Sequence, residues 1–172
     1  MKIKFNNIRD LADARYAAAM MAEWIGFEIG GENDLSASEI QEILGWCSGP
    51  VVVLEVKTGA SDDKIQALIE LLPFTVIEAS GDMINYLKNR LGNSIEQWIN
   101  NSSTEANADF WHTQKIVSTS NTICRVNPEK NSAQEINSIE PFAISLDCFD
   151  AQSKGMKDYE VWNCFFEDLG LV

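Results

Sequence analysis

The sequence predicts an α/β protein of one domain spanning 1–172, a single (β/α) barrel of the TIM type with seven to eight strands, trimmed or irregular. Three observations carry this expectation. Strand-like and helix-like segments alternate from the first residues onward. The run VVVLEV at 51–56 is continuously β-branched or apolar but for one glutamate, as strands covered on both faces of a parallel sheet are. No Gly-x-Gly-x-x-Gly or Gly-x4-Gly-Lys-Ser/Thr motif follows the first strand, so a doubly wound nucleotide fold has no local support. At about 25 residues per unit, the chain holds seven units comfortably and an eighth only by trimming.

The elements follow in order. KIKFNNI (2–8) reads as a strand, and 9–22 as a helix with Leu11, Ala14, Ala18 and Met21 on one stripe. EWIGFEI (23–29) is a second strand. Ser36 and Glu39 form a capping box that opens a helix running to about Cys47, and Gly49-Pro50 ends it. After the strand at 51–56, Ser61 caps a helix with Ile65, Leu68, Ile69 and Leu72 on one face. FTVIEA (74–79) is a fourth strand, and 82–92 a helix closed by Gly92. The pattern is least regular at 93–121. IEQWI (95–99) reads as a short strand, and the polar stretch around Phe110 and Trp111 as a helix from Ser102. NTICRV (121–126) is a strand. Asn127-Pro128 starts a helix, a cap followed by proline at the first position. FAISLD (142–147) is the last strand, and a final helix at about 158–169 turns Val161, Trp162, Phe165 and Leu169 to a core.

Composition narrows the partners. Thirteen basic residues stand against 26 acidic ones, a formal net charge of −13. Such a chain repels nucleic acid and anionic membrane, so neither is expected as a partner, and the charge by itself does not name what the chain binds; a small-molecule ligand is the partner considered. No apolar run approaches the roughly 18–20 residues of a membrane span. MKIKFNNIRD lacks the apolar centre of a signal peptide, so the cytoplasm is the expected location. Cys47, Cys124, Cys148 and Cys164 form no Cys-x-x-Cys pair and read as reduced thiols. His112 is the single histidine and reads as structural. Trp46, Trp111 and Trp162 read as packing anchors. No cofactor is expected, and no residue set is assigned to a metal.

KFNNIRDLADARYAAAMMAEWIGFEI resembles the opening of the phosphoribosylanthranilate isomerase family, which begins Lys-Ile-Cys-Gly-Ile, then Leu-x-Asp-Ala, then Gly-Phe at the end of its second strand. The matching residues are Lys4, Ile8, Leu11, Asp13, Ala14, Gly26 and Phe27. NPEKNSAQEI (127–136) resembles the Asn-Pro-Glu-Asn segment after the family's seventh strand. PFAISLDCFD with Gly155, Met156, Lys157 and Asp158 resembles its eighth strand and closing helix start. The likeness covers about 1–92 and 121–172. It implies a barrel of that family, shortened around strands 5 and 6, and a tryptophan-pathway reaction. That reaction uses a cysteine base after strand 1, an aspartate acid after strand 6, and glycine-rich loops after strands 7 and 8 that cradle a phosphate.

The likeness departs where this chemistry resides. Asn6 stands at the cysteine position and Asn7 at the glycine after it. GENDLSAS replaces a Ser-Pro-Arg stretch. Glu78, Ala79, Ser80 and Gly81 replace Gln-Leu-His-Gly, Cys124 and Arg125 the paired glycines, and Asp147, Cys148 and Phe149 a Ser-Ser-Gly. No aspartate is matched to the acid. An amide cannot take a proton near neutral pH, so no residue is assigned as catalytic, and a pseudoenzyme is expected.

Strand alternation sorts the side chains. Ile3, Phe5, Ile25, Phe27, Val52, Leu54, Ile77, Ile144 and Leu146 face the helices. Lys4, Asn6, Gly26, Glu28, Val53, Glu55, Val76, Glu78, Ser145 and Asp147 face the interior. Glu28, Glu55, Glu78 and Asp147 then converge at the strand C-terminal ends, where barrel sites occur. Three readings of these carboxylates are open. They are solvated or paired with Lys4 and Arg125; they hold a cation, an amine or a metal; or a phosphate site survives, with Arg125 as its ligand. The ligand-binding candidates are Asn6, Glu28, Glu55, Glu78, Ser80, Arg125 and Asp147. Mutual repulsion is expected to raise at least one carboxyl pKa, so that Glu78→Gln stabilises the fold. The alternatives for function are a true isomerase with an altered site and a non-catalytic interaction scaffold.

Overall fold

The computed structural model describes residues 1–31, 34–92, 95–102, 107–148 and 159–171. The elements run β1 (Lys2–Asn6), α1 (Leu11–Ala19), β2 (Trp24–Ile29), α2 (Ala37–Gly45), β3 (Val51–Val56), α3 (Asp62–Leu71), β4 (Val76–Ala79), α4 (Gly81–Leu91), β5 (Gln97–Asn100), β6 (Phe110–Thr113), β7 (Thr122–Arg125), α5 (Ala133–Ile139), β8 (Ala143–Asp147) and α6 (Glu160–Asp168). The eight strands are parallel and close in sequence order, β8 pairing with β1 over five residues from Lys2↔Ala143 to Asn6↔Asp147.

The helix starts follow local chemistry. Ser36 and Glu39 form the reciprocal capping box, and Ser61 accepts from the Lys64 amide. Asp10 accepts from the Asp13 amide at the start of α1. Gly92 closes α4 at φ 56°, a left-handed conformation that glycine adopts without a side-chain penalty.

Two element assignments are corrected, and Trp46 and Trp111, read as packing anchors, and Val161, read as facing a core, are exposed. Phe110–Thr113 is a strand, not part of a helix from Ser102; residues 103–106 lie outside the described ones. Its period is two: Phe110 joins the interior cluster and His112 bonds Glu78 and Ser145, while Trp111 is 42% exposed. Four residues between polar flanks are too few for that alternation to stand out. The second correction concerns Asn127-Pro128. The helix begins at Ala133, capped by Ser132. Asn127 instead organises a turn, its side chain accepting from the Glu129 amide and its carbonyl from the Lys130 and Asn131 amides.

The same region explains how eight strands fit in 172 residues. Residues 114–121 join β6 to β7 without a helix, and none is present among the described residues between β5 and β6.

The barrel wall separates two cores. Outside it, Phe5, Ile25, Phe27, Leu54, Ile77, Ile144 and Leu146 pack against the helices, as the alternation requires. Phe5 meets Tyr16, Trp162 and Phe166 at ring distances of 5.6–6.1 Å. Inside, Trp24, Val53, Val76, Ile99, Ile123 and Ala143, with Phe110 and Phe142, fill the end where the strands begin. That plug leaves the polar residues the C-terminal half of the interior.

Candidate functional site

Above the apolar plug lies a layer of buried polar side chains. Lys4 is fully buried at its centre. Its ammonium donates to Asn6 Oδ1 and to Glu55 Oε1, and lies 3.0 Å from Glu78 Oε2. Two hydrogen bonds and a second ion pair thus surround the ammonium, which lowers the cost of burying its charge.

The sheet register explains why two glutamates share one lysine. Glu28, Glu55 and Glu78 form a single row across β2, β3 and β4. Glu55 leans over Gly26 on the adjacent strand, where an added Cβ would sit 1.9 Å from Glu55 Oε1. Its other oxygen accepts from the Asn7 amide at 3.0 Å. Asn7 holds φ 54°, a region that asparagine tolerates better than most residues.

Glu78 has a second partner that the sequence reading missed. His112 Nδ1 lies 2.9 Å from Glu78 Oε1, and His112 Nε2 lies 2.5 Å from Ser145 Oγ. Asn101 Nδ2 also reaches Glu78, at 3.4 Å. The available signal was the two-residue spacing from Phe110, which becomes legible once β6 is recognised as a strand.

These contacts drive the two carboxyls apart. Burial raises the Glu55 pKa, Lys4 opposes, and the neighbouring Glu78 charge adds to the rise; the net shift is upward. Burial would also raise Glu78, but Lys4 and His112 together outweigh it and hold that carboxyl well below its usual range. For Lys4, burial favours the neutral amine, yet the two carboxylates prevail and raise its pKa. The two ion-paired glutamates therefore shift in opposite directions, because only Glu78 has the histidine as well.

The outer candidates are arranged differently. Asn6 is 1% exposed; its Oδ1 accepts from Lys4 and its Nδ2 donates to Asp147 Oδ1 at 2.9 Å. Asp147 lies at the rim, 3.4 Å from Arg125 Nε. Glu28 is also at the rim, 3.4 Å from Lys57 Nζ. The four carboxylates thus do not converge into one acidic mouth. Two are buried around Lys4, and each of the others has its own cation. Among the described residues, no group of three or more His, Cys, Asp or Glu side chains is placed to hold a metal ion.

Ser145, His112 and Glu78 have the connectivity of a nucleophile, base and orienting carboxylate. Ser145 is fully buried, however, and a nucleophile must reach its substrate. The three form a packing network within the barrel. Cys148, beside Asp147 in the chain, is buried in the apolar core outside the barrel wall.

A cavity of about 250 Å³ opens at the strand C-terminal ends, lined by Val56, Lys57, Thr58, Ser80, Met83, Asn101 and Arg125. Two predicted site residues, Ser80 and Arg125, line it, and Lys57 is a further one that the sequence reading passed over. A larger hollow of about 720 Å³ lies outside the barrel between α5 and α6, away from the strand ends. The GMKD segment at 155–158 and Phe149 lie outside the described residues.

No family model and no curated protein sequence matches the chain. Solved structures do. A phosphoribosylanthranilate isomerase from Thermus thermophilus superposes with a TM-score of 0.75 at 17% identity, covering 99% of this chain and 98% of that one. N-(5'-phosphoribosyl)anthranilate isomerase from Pyrococcus furiosus gives 0.67 at 16% identity with both chains fully covered. A phosphoribosylanthranilate isomerase in complex with reduced 1-(o-carboxyphenylamino)-1-deoxyribulose 5-phosphate gives 0.72 at 14%, again over both full chains. The family that the N- and C-terminal motifs resemble is therefore also one whose fold this chain shares from end to end.

Proposed function

We propose that this protein is a phosphoribosylanthranilate isomerase-like barrel that does not carry out the isomerisation and instead binds a small molecule at the mouth. The observation that carries the reading is the state of Asn6. It occupies the position where the resemblance places the base, and it is a neutral amide held between Lys4 and Asp147. Such a group can neither take a proton nor swing toward a substrate. Loss of a general base costs on the order of 10²–10⁴-fold, and lost positioning compounds it. The cavity at the strand C-terminal ends supports a binding role.

The test is complementation of a tryptophan auxotroph lacking the isomerase, with turnover of phosphoribosylanthranilate measured on purified protein. No growth and no turnover above background are expected. Asn6→Cys is not expected to restore growth either, because Arg125 and Asp147 stand at the glycine-loop positions. Growth with the unaltered chain would overturn the proposal. A second reading, an isomerase with a changed base, is favoured by one feature: Asp147 is a rim carboxylate hydrogen-bonded to Asn6. It requires turnover that Asp147→Asn abolishes.

A further inference from the structure

The hollow outside the barrel follows from the lengths of two helices and the faces they turn. The turn after Asn127 delays α5 to Ala133 and leaves it 7 residues long, against 9 for α6. One face of α6 packs on the barrel: Trp162, Phe166 and Leu169 fall at i, i+4 and i+7 and join the core outside the wall. A second stripe, Val161, Cys164, Phe165 and Asp168 at i, i+3, i+4 and i+7, lines the hollow of about 720 Å³, across from Pro128 and Ala133. The short α5 leaves this stripe open. Val161 is 46% exposed, and Cys164 is an exposed thiol.

The charge of the groove has one sign. Glu160 and Asp168 line it, and no lysine or arginine does among the described residues. The two helices together carry Glu135, Glu160, Glu167 and Asp168 and no basic residue. Glu160 and Asp168 stand about 12 Å apart along the helix axis.

These features select the occupant. A second copy of this chain, at net charge −13, meets the groove with like charge. Nucleic acid and an anionic membrane do the same. A small hydrated cation satisfies the carboxylates but makes no use of the apolar floor of Pro128, Val161 and Phe165. An amphipathic peptide with basic flanks uses both.

We propose that the groove between α5 and α6 docks a basic amphipathic peptide segment of a partner protein, its cationic side chains against Glu160 and Asp168 and an apolar side chain seated on Pro128, Val161 and Phe165. The groove is separate from the mouth, and neither proposal depends on the other.

The probe is an acetylated and amidated peptide of about ten residues, with leucines at i, i+3, i+4 and i+7 and lysines beside them. It is titrated into the intact protein at pH 7 and about 0.1 M salt, following backbone amide shifts. Two control peptides replace every lysine by glutamate or every leucine by serine. The probe is expected to move the amides of Gln134, Val161, Cys164 and Asp168, and at saturation to slow alkylation of the exposed Cys164 thiol at least about 3-fold. Both controls should bind at least about 10-fold more weakly. Glu160→Gln and Asp168→Asn should each weaken the probe about 3-fold, within the range of an exposed ion pair, and together about 10-fold. Val161→Ser should weaken it by a similar factor. Glu42→Gln, at an exposed acid on α2, should change nothing. Equal weakening by Glu42→Gln would show diffuse attraction to an acidic protein and overturns the assignment. So does a serine control that binds as tightly as the probe, a set of shifts confined to other surfaces, or silence of the groove amides.

Discussion

Glu78→Gln is the substitution on which sequence and structure disagree in sign. Repulsion among four mouth carboxylates predicts that neutralising one stabilises the fold. The observed partners predict the reverse. Glu78 is 2% exposed, 3.0 Å from the Lys4 ammonium and 2.9 Å from His112. Removing one partner of a buried ion pair costs about 3–5 kcal/mol. Glutamine keeps the volume and one carbonyl acceptor, which places the expected loss near the lower end, about 3 kcal/mol. With a urea slope of about 1–3 kcal/mol per M, the unfolding midpoint should fall on the order of 1.5 M. The pH dependence identifies the cause. The folded Glu78 pKa is lowered, so its contribution is fully present above the unfolded value and is lost as pH falls through the folded value. The gap between wild type and variant should stay constant from pH 7 to 5. Below about pH 4.3 it should narrow by up to about 1.4 kcal/mol per pH unit, the slope for one proton. Urea melts at pH 7, 5, 4 and 3, followed by tryptophan fluorescence, measure this. A variant as stable as wild type at pH 7, or a gap that does not change with pH, would refute the reasoning.

Further predictions probe the same layer. Glu55→Gln should cost less than half as much as Glu78→Gln at pH 7. The raised Glu55 pKa means that its ionised form carries a penalty, absent below the unfolded value and growing as pH rises through the folded one, and the variant removes it; the same melts, compared pairwise, check the order. Gly26→Ala should destabilise by about 1–3 kcal/mol, because its Cβ would meet Glu55 Oε1 at 1.9 Å and Cδ at 2.3 Å and displace that carboxylate from Lys4. Pairing it with Glu55→Ala, which vacates the space, should recover much of the loss in a double-mutant cycle.

The elements that the sequence disclosed are those whose signals are local. A capping serine with its glutamate three residues on, an apolar run at 51–56 and a closing glycine at 92 each act within a few residues, and each appears where expected. Alternation along the strands also sorted the interior set from the helix-facing set, because side-chain direction in a strand has a strict period of two. It failed at β6, whose four residues are too few to display a period, and so His112 read as a lone structural histidine rather than as the partner of Glu78.

Parity states which face a side chain occupies. It does not state how deep the side chain lies or which way it leans, and those settle the chemistry. Glu28, Glu55 and Glu78 share one parity and one register row, yet one is at the rim and two are buried. The difference comes from Gly26, whose missing side chain makes room for Glu55, and from Lys4, reaching across from β1. What the sequence determined alone is the barrel architecture, the capped helices and a neutral amide at position 6. Only the closed barrel decided that two carboxylates are consumed by a buried lysine while Lys57 and Arg125 line the mouth. Closure brings together strand residues as far apart in sequence as Lys2 and Ala143, and the energy of a charge depends on the partners it meets there.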